Sequence, residues 1–159
     1  MQNLPIPELD QIDRAILTAL QRDGRLSNVQ LAGQVGLSES ACLRRVHLLE
    51  QSGVIDRYVM LVNPAAVGKP GNVFVTVTLD GQQKEKLQQF EKSLAAVPEV
   101  MECYLMSGNF DYLLRVIIKD NSDYMRIHEE LSGLPGVLRV QSSFALRTVR
   151  KTTELVLDH

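Results

Sequence analysis

Ser40, Arg44, His47 and Gln51 recur at i, i+4, i+7 and i+11, the spacing that gathers side chains onto one face of a helix. Ser38 and Glu39 precede them, and Arg45 flanks the stripe. Slim polar residues let a helix end approach base edges, and guanidinium groups reach guanine or phosphate. That is a chemistry of reading nucleic acid rather than of breaking bonds. Arg25, Ser27 and Asn28, just upstream, add candidate phosphate contacts.

The flanking residues supply elements that would hold such a helix. Ser27 and Gln30 have capping-box spacing, which predicts a helix starting near Asn28 with Leu31 and Val35 as its apolar face. Gly36 suits the left-handed residue that ends it, and Leu37 plugs the turn. Ser38 is an N-cap for the next helix, and Glu39 favours its positive end. Cys42, Val46 and Leu49 form its buried stripe, and Gly53 ends it. An upstream helix over Leu9–Arg22 brings Ile12, Ile16, Leu17 and Leu20 to a three-helix core. Val54–Val62 reads as a strand, part of a small wing. Solvated arginines on an ordinary amphipathic surface helix would give the same stripe.

Residues 1–62 hold six arginines, no lysine and seven acidic side chains. Non-specific phosphate attraction by one such head is weak, so tight binding needs several heads on one duplex. The whole chain has 159 residues, 45% hydrophobic and 23% charged, with a net charge of −2. Those values suit one or two small domains and place any basic patch locally. No apolar run approaches the roughly 20 residues of a membrane span, and Met1–Gln11 shows no secretory leader. Cys42 and Cys103 fall in different elements without metal-like spacing, as expected of core thiols in a reducing cytoplasm.

Asn63–Gly71 holds two prolines and two glycines and reads as a linker. Beyond it the pattern gives strand 72–79, helix 82–96, strands 100–106 and 111–118, helix 122–131 and a long strand 137–149. This β-α-β-β-α-β order is ferredoxin-like. A shift of 37 residues lays Gly71-Asn72 on Gly108-Asn109, Phe90 on Ile127, and Leu94, Val97, Pro98 and Val100 on Leu131, Leu134, Pro135 and Val137. Helices would cover one sheet face. Valine and phenylalanine exposed on the other would form a large apolar patch, which predicts a sheet-to-sheet homodimer. The fold class is therefore α+β. A winged helix-turn-helix domain (1–62) and a linker (63–71) lead into a ferredoxin-like αβ-sandwich domain for assembly (72–159).

Nothing points to catalysis. His47, His128 and His159 are scattered, and neither an HxxH, a Ser-His-Asp spacing nor a P-loop is present. Glu129-Glu130 reads as a solvated helix face. No catalytic residue, metal ligand or cofactor is expected.

Four stretches in order, LDQIDRAILTALQRDGRLSNVQLA (9–32), VGLSESACLRRVHLLEQSGVI (35–55), SGNFDYLLRV (107–116) and LPGVLRVQSSFALRTVRKTTELVL (134–157), make the chain resemble the Lrp/AsnC, or feast/famine, transcription regulators. The resemblance implies dimers formed through the C-terminal domain, assembling to octamers. It also implies an amino-acid effector between subunits, and control of genes for amino-acid metabolism or transport. The expected partners are double-stranded DNA and further copies of the chain, with no membrane, in the cytoplasm at the nucleoid. An architectural DNA-binding protein that senses nothing is the alternative.

The resemblance makes the loop Ser107–Tyr112 one wall of the effector pocket. Gly108 permits close backbone approach beside Asn109. Asp111 can accept from an ammonium group, and loop N–H groups can donate to a carboxylate. Tyr112 closes the loop and Met106 precedes it, while Tyr104, with Met101 and Leu105, can shape a side-chain pocket. The second wall is expected on the last strand of a neighbouring subunit, at Gln141, Ser142 and Ser143. The simpler alternative is a hairpin turn at Gly108-Asn109, with Asp111 bonded to its own backbone.

Overall fold

The computed structural model describes residues 8–157. Residues 1–7, on which the reading of a missing leader partly rests, and His159 lie outside them. The chain forms two compact units, 1–61 with 150–159 and 62–149.

The first unit, the head, is built from α1 (Gln11–Arg22), α2 (Asn28–Val35) and α3 (Glu39–Gln51). Each start follows from a capping residue. Asp10 and Asp13 form a capping box at α1, Ser27 and Gln30 form one at α2, and the Ser38 hydroxyl accepts from the Ala41 N–H at α3. Gly36 ends α2 at φ 69°, a conformation that costs glycine little. Ile16, Leu17, Leu31, Ala32, Cys42, Val46 and Leu49 form the core, with Leu37 packed against it at the turn.

Residues 54–62 form no strand, which corrects the expected wing. Val54 and Ile55 pack under the head, and the Ile55 N–H donates to the Leu49 carbonyl. Tyr58 to Val62 then run exposed. An apolar run becomes a strand only with a ladder partner, and the described residues offer it none.

In the second unit a turn of 3₁₀ helix (Ala65–Val67) leads into a four-stranded antiparallel sheet. Its strands are β1 (Gly71–Leu79), β2 (Val100–Leu105), β3 (Tyr112–Ile118) and β4 (Val137–Phe144), in the order β2-β3-β1-β4. Helices α4 (Lys84–Leu94) and α5 (Asn121–Ser132) make the crossovers. Val73, Val75, Val77 and Leu79 meet Tyr112, Leu114, Val116 and Ile118 in the core with Phe90, Leu94, Ile127 and Leu131. Each fully buried side chain of this kind contributes about 1.5–3 kcal/mol.

The repeat is real after each helix. The Val97 N–H donates to Leu94 and the Leu134 N–H to Leu131, and Val100 and Val137 then repeat the step by donating to Val97 and Leu134. The other end of the match is not equivalent. Gly71 opens β1, whereas Gly108 sits in a loop at φ 120°.

Three expectations change. The last strand stops at Phe144 rather than Val149, because β1 starts at Gly71 and the ladder ends where Ala145 donates to Asn72. Arg150 onward belongs to the head, so the second unit does not run to 159. The valines of β1 all face the helices. Register and alternation instead give the open face Phe74, Leu113 and Ile117 among Thr76, Thr78, Arg115, Tyr104, Arg139, Gln141 and Ser143. Arg115 crosses that face, donating to Glu102 at 2.8 Å and to Asn72 at 3.1 Å. The face is mixed rather than a continuous apolar patch.

Candidate nucleic-acid interface and ligand loop

The nine residues expected to meet DNA separate into two groups. Arg25, Glu39, Ser40, Arg44 and His47 are exposed. Neither Arg44 nor His47 makes a hydrogen bond or ion pair among the described residues, so both side chains are available to a ligand. Ser40 lies 3.4 Å from the Ser38 hydroxyl. The remaining residues hold the motif together. Ser27 and Ser38 are caps. Asn28 Nδ2 donates to the Glu39 carbonyl at 2.8 Å, joining α2 to the first turn of α3.

Arg45 is engaged within the head, unlike Arg44. Its Nη1 donates to Asp10 Oδ2 at 2.7 Å and to Asp13 Oδ1 at 2.8 Å. The same carboxylates raise the guanidinium's already high pKa, Asp13 more than Asp10. The Asp10 carboxyl is held below its ordinary value, first by the backbone N–H of Asp13 and then by Arg45. Arg45 therefore fastens α3 to α1. Two acids three residues apart at the start of α1 were the available signal, since a capping box there leaves carboxylate oxygens facing the bundle.

The ligand loop also divides. Ser107, Gly108 and Asn109 are exposed. Asp111 is only 4% exposed, and both of its oxygens are engaged. Oδ2 accepts from the Leu79 N–H at 2.7 Å and Oδ1 from Gln82 Nε2 at 2.6 Å. Its backbone N–H donates to the Val77 carbonyl, and its carbonyl accepts from the Met106 N–H. This carboxylate ties the loop to the end of β1, so its partners are Leu79 and Gln82 rather than its own backbone, as the turn alternative had it. Tyr112 is buried against Phe90 at a centroid distance of 4.6 Å, and its hydroxyl donates to Glu91 at 2.8 Å. Burial first, and Glu91 second, push its pKa up. Gln82 and Glu91, the partners of these two residues, carried no motif that would single them out.

Tyr104, on the open face of β2, donates its hydroxyl to Glu102 at 2.9 Å. Tyr104, Leu113, Thr76 and Gln141 pair successively across the sheet. Tyr104 and Gln141 thus lie three strand spacings apart, roughly 14 Å. Ser143 shares the open face with Gln141, whereas Ser142, opposite Val75, points to the helix side. Its Oγ is buried without a hydrogen-bond partner. The two expected walls do not meet within one protomer. Among the described residues no group of three or more His, Cys, Asp or Glu side chains could hold a metal, and no helix is long and apolar enough to cross a membrane.

Comparison with known proteins accounts for both units. Residues 9–50 match the AsnC-type helix-turn-helix domain, and residues 72–155 match the Lrp/AsnC ligand binding domain. The leucine-responsive regulatory protein of Klebsiella pneumoniae is 41% identical over 154 residues, 96% of this chain and 94% of that protein. An AsnC family transcriptional regulator from Agrobacterium tumefaciens superimposes with a TM-score of 0.89 at 38% identity, over 93% of this chain and 97% of that one. A Neisseria meningitidis transcriptional regulator, solved as a complex with L-methionine, gives 0.90 at 37% identity over 96% and 99%. The activity is regulation of transcription rather than catalysis, and the chain belongs to the Lrp/AsnC family of transcriptional regulators.

Proposed function

We propose that this regulator reads duplex DNA with the exposed face of α3, Ser40, Arg44 and His47, with Arg25 and the first turn of α3 placed toward phosphate. The observation carrying this reading is the contrast between neighbours. Arg45 is fastened to α1 at 2.7 and 2.8 Å, while Arg44 is left in solvent on the same helix. A pinned helix presenting a free arginine is organised to dock in a groove. Selection of bound fragments from a genomic library, followed by gel shifts, tests it. Recovery of one recurrent sequence supports the reading, and uniform binding to all fragments opposes it.

In the same reading an amino acid modulates the protein by binding between subunits. The relative from Neisseria meningitidis was crystallised with L-methionine, and so was a feast or famine regulatory protein of Mycobacterium tuberculosis. Tyr104 and Gln141 lie roughly 14 Å apart across one sheet, and in this reading a second copy, in a homodimer that assembles to an octamer, brings near the other wall of the pocket. Exposed Ser107, Gly108 and Asn109 line it from one side and Gln141 and Ser143 from the other. Genes of amino-acid metabolism or transport are the proposed targets, and the cytoplasmic nucleoid is the proposed location.

The enclosure of Asp111 favours a second reading, an architectural DNA-binding protein with no effector. Thermal melting against the twenty amino acids separates the two. A ligand at 100 times its Kd stabilises by about 2.7 kcal/mol, and no shift with any of them favours the architectural reading.

A further inference from the structure

The head is completed by the far end of the chain. Gln21, near the end of α1, grips the backbone of Leu155 twice. Its Oε1 accepts from the Leu155 N–H at 2.7 Å, and its Nε2 donates to the Leu155 carbonyl at 3.1 Å. A side-chain amide used in this way imitates a neighbouring β-strand and recognises an extended backbone rather than a particular side chain. Beside it, Arg22 Nε donates to Glu154 Oε1 at 2.8 Å. The Glu154 N–H donates to the Thr152 hydroxyl, shaping the approach. Leu157 packs against the edge of the head core and lines a groove of about 670 Å³ with Ala15, Ala19, Leu26 and Val35. Leu155 and Val156, between these anchors, are largely exposed.

We propose that Thr152–Leu157 is a releasable strap. Docked on α1, it belongs to the DNA-reading head, and its release weakens DNA binding. Its anchors are a surface ion pair, two hydrogen bonds and one leucine at the core edge, a set weak enough to open locally without unfolding the head. The chain enters the head's unit twice, once at each end. The second entry continues from β4, the strand that carries Gln141 and Ser143. A docked strap adds a non-covalent tether to each head beside its covalent linker, narrowing the space it explores and raising the effective concentration of a second head on the same duplex. A change at β4 thereby acquires a route to α1. This inference rests on the DNA-binding reading above for its functional consequence, and on the strap geometry alone for its existence.

The test uses the full chain in three forms: wild type, Arg22→Glu, and Arg22→Glu with Glu154→Arg. Hydrogen exchange reads the Leu155 amide, and gel shifts read affinity for a selected DNA site. We expect a protected Leu155 amide in wild type and exchange up to about fivefold faster in Arg22→Glu, with protection restored by the charge swap. Affinity should fall and recover in parallel. Gln21→Ala, which leaves every charge in place, should release the strap in the same way. Free-chain exchange at Leu155 in wild type overturns the strap, as does a swap that fails to restore protection. A released strap with undiminished affinity overturns its coupling to DNA. Failure of the DNA-binding reading itself looks different, because wild type would then show no preferred site while the exchange pattern still reported the docked strap.

Discussion

Arg45 Nη1 stands 2.8 Å from Asp13 Oδ1, so this arginine of α3 is engaged within the protein. Arg44, one residue earlier, points into solvent. One turn of sequence thus carries two arginines in opposite environments. Arg44→Ala should cost about 1–3 kcal/mol of site affinity if it reads a base, without lowering the melting temperature. Arg45→Ala should lower the melting temperature by a few degrees and affect DNA binding through loosening of α3. Paired gel shifts and melting curves check both. Equal melting temperatures for the two variants would refute the division of labour.

If Arg44 contacts phosphate instead, the loss appears in the salt dependence. Removing one phosphate contact flattens the plot of log affinity against log salt by about 0.9. A titration of salt with wild type and Arg44→Ala distinguishes a base contact, which leaves the slope unchanged, from a phosphate contact.

Asp111→Ala should destabilise the second unit rather than simply silence an effector response. It strands the buried Leu79 N–H, which costs about 1–3 kcal/mol, while the exposed Gln82 amide can turn to water. Asp111→Asn retains an acceptor and should be milder. Denaturant melts of the two variants decide this, and a fully stable Asp111→Ala protein would return the residue to the list of ligand groups.

The acid clamp also sets a pH dependence. The folded pKa of Asp10 lies below its ordinary 3.8, so its contribution to stability is complete above that value. It is lost as pH falls through the lower folded pKa, where the carboxyl takes up a proton and weakens its bond to Arg45, which Asp13 still holds. Wild type should therefore lose head stability below about pH 3.8 more steeply than Asp10→Asn. Melting curves from pH 2 to 5 of the two proteins would test this, and parallel curves would remove Asp10 from the clamp.

Cys42 is buried but Cys103 is exposed, which corrects its reading as a core thiol; it lies beside Glu91 at the edge of a groove of about 500 Å³ between α4 and β2. Desolvation there, with Glu91 adding to it, pushes its thiol up to about 11. Thiolate is the reactive form, so alkylation at neutral pH should be slow and should accelerate until the pH nears that value. Mass spectrometry of iodoacetamide-treated protein provides the measurement, and rapid labelling at pH 7 would contradict it.

Local chemistry determined much of this protein. Caps at Ser27 and Ser38, glycine at 36 and the stripe Cys42, Val46 and Leu49 depend on neighbours within a few residues, and all were legible in the chain. So were β-α-β-β-α-β and the repeated turn after each helix, because alternation and helical spacing are local properties. Tertiary structure alone decided the rest. It assigned Arg45 to Asp10 and Asp13 across more than thirty residues, Asp111 to Leu79 and Gln82, and Glu154 and Leu155 to α1. It withheld a ladder partner from 54–62 and ended β4 where β1 ran out. The physical reason is common to all of these. A charged or hydrogen-bonding side chain has the same sequence signature whether it faces water, a ligand or another element, and only the packing that surrounds it selects among the three.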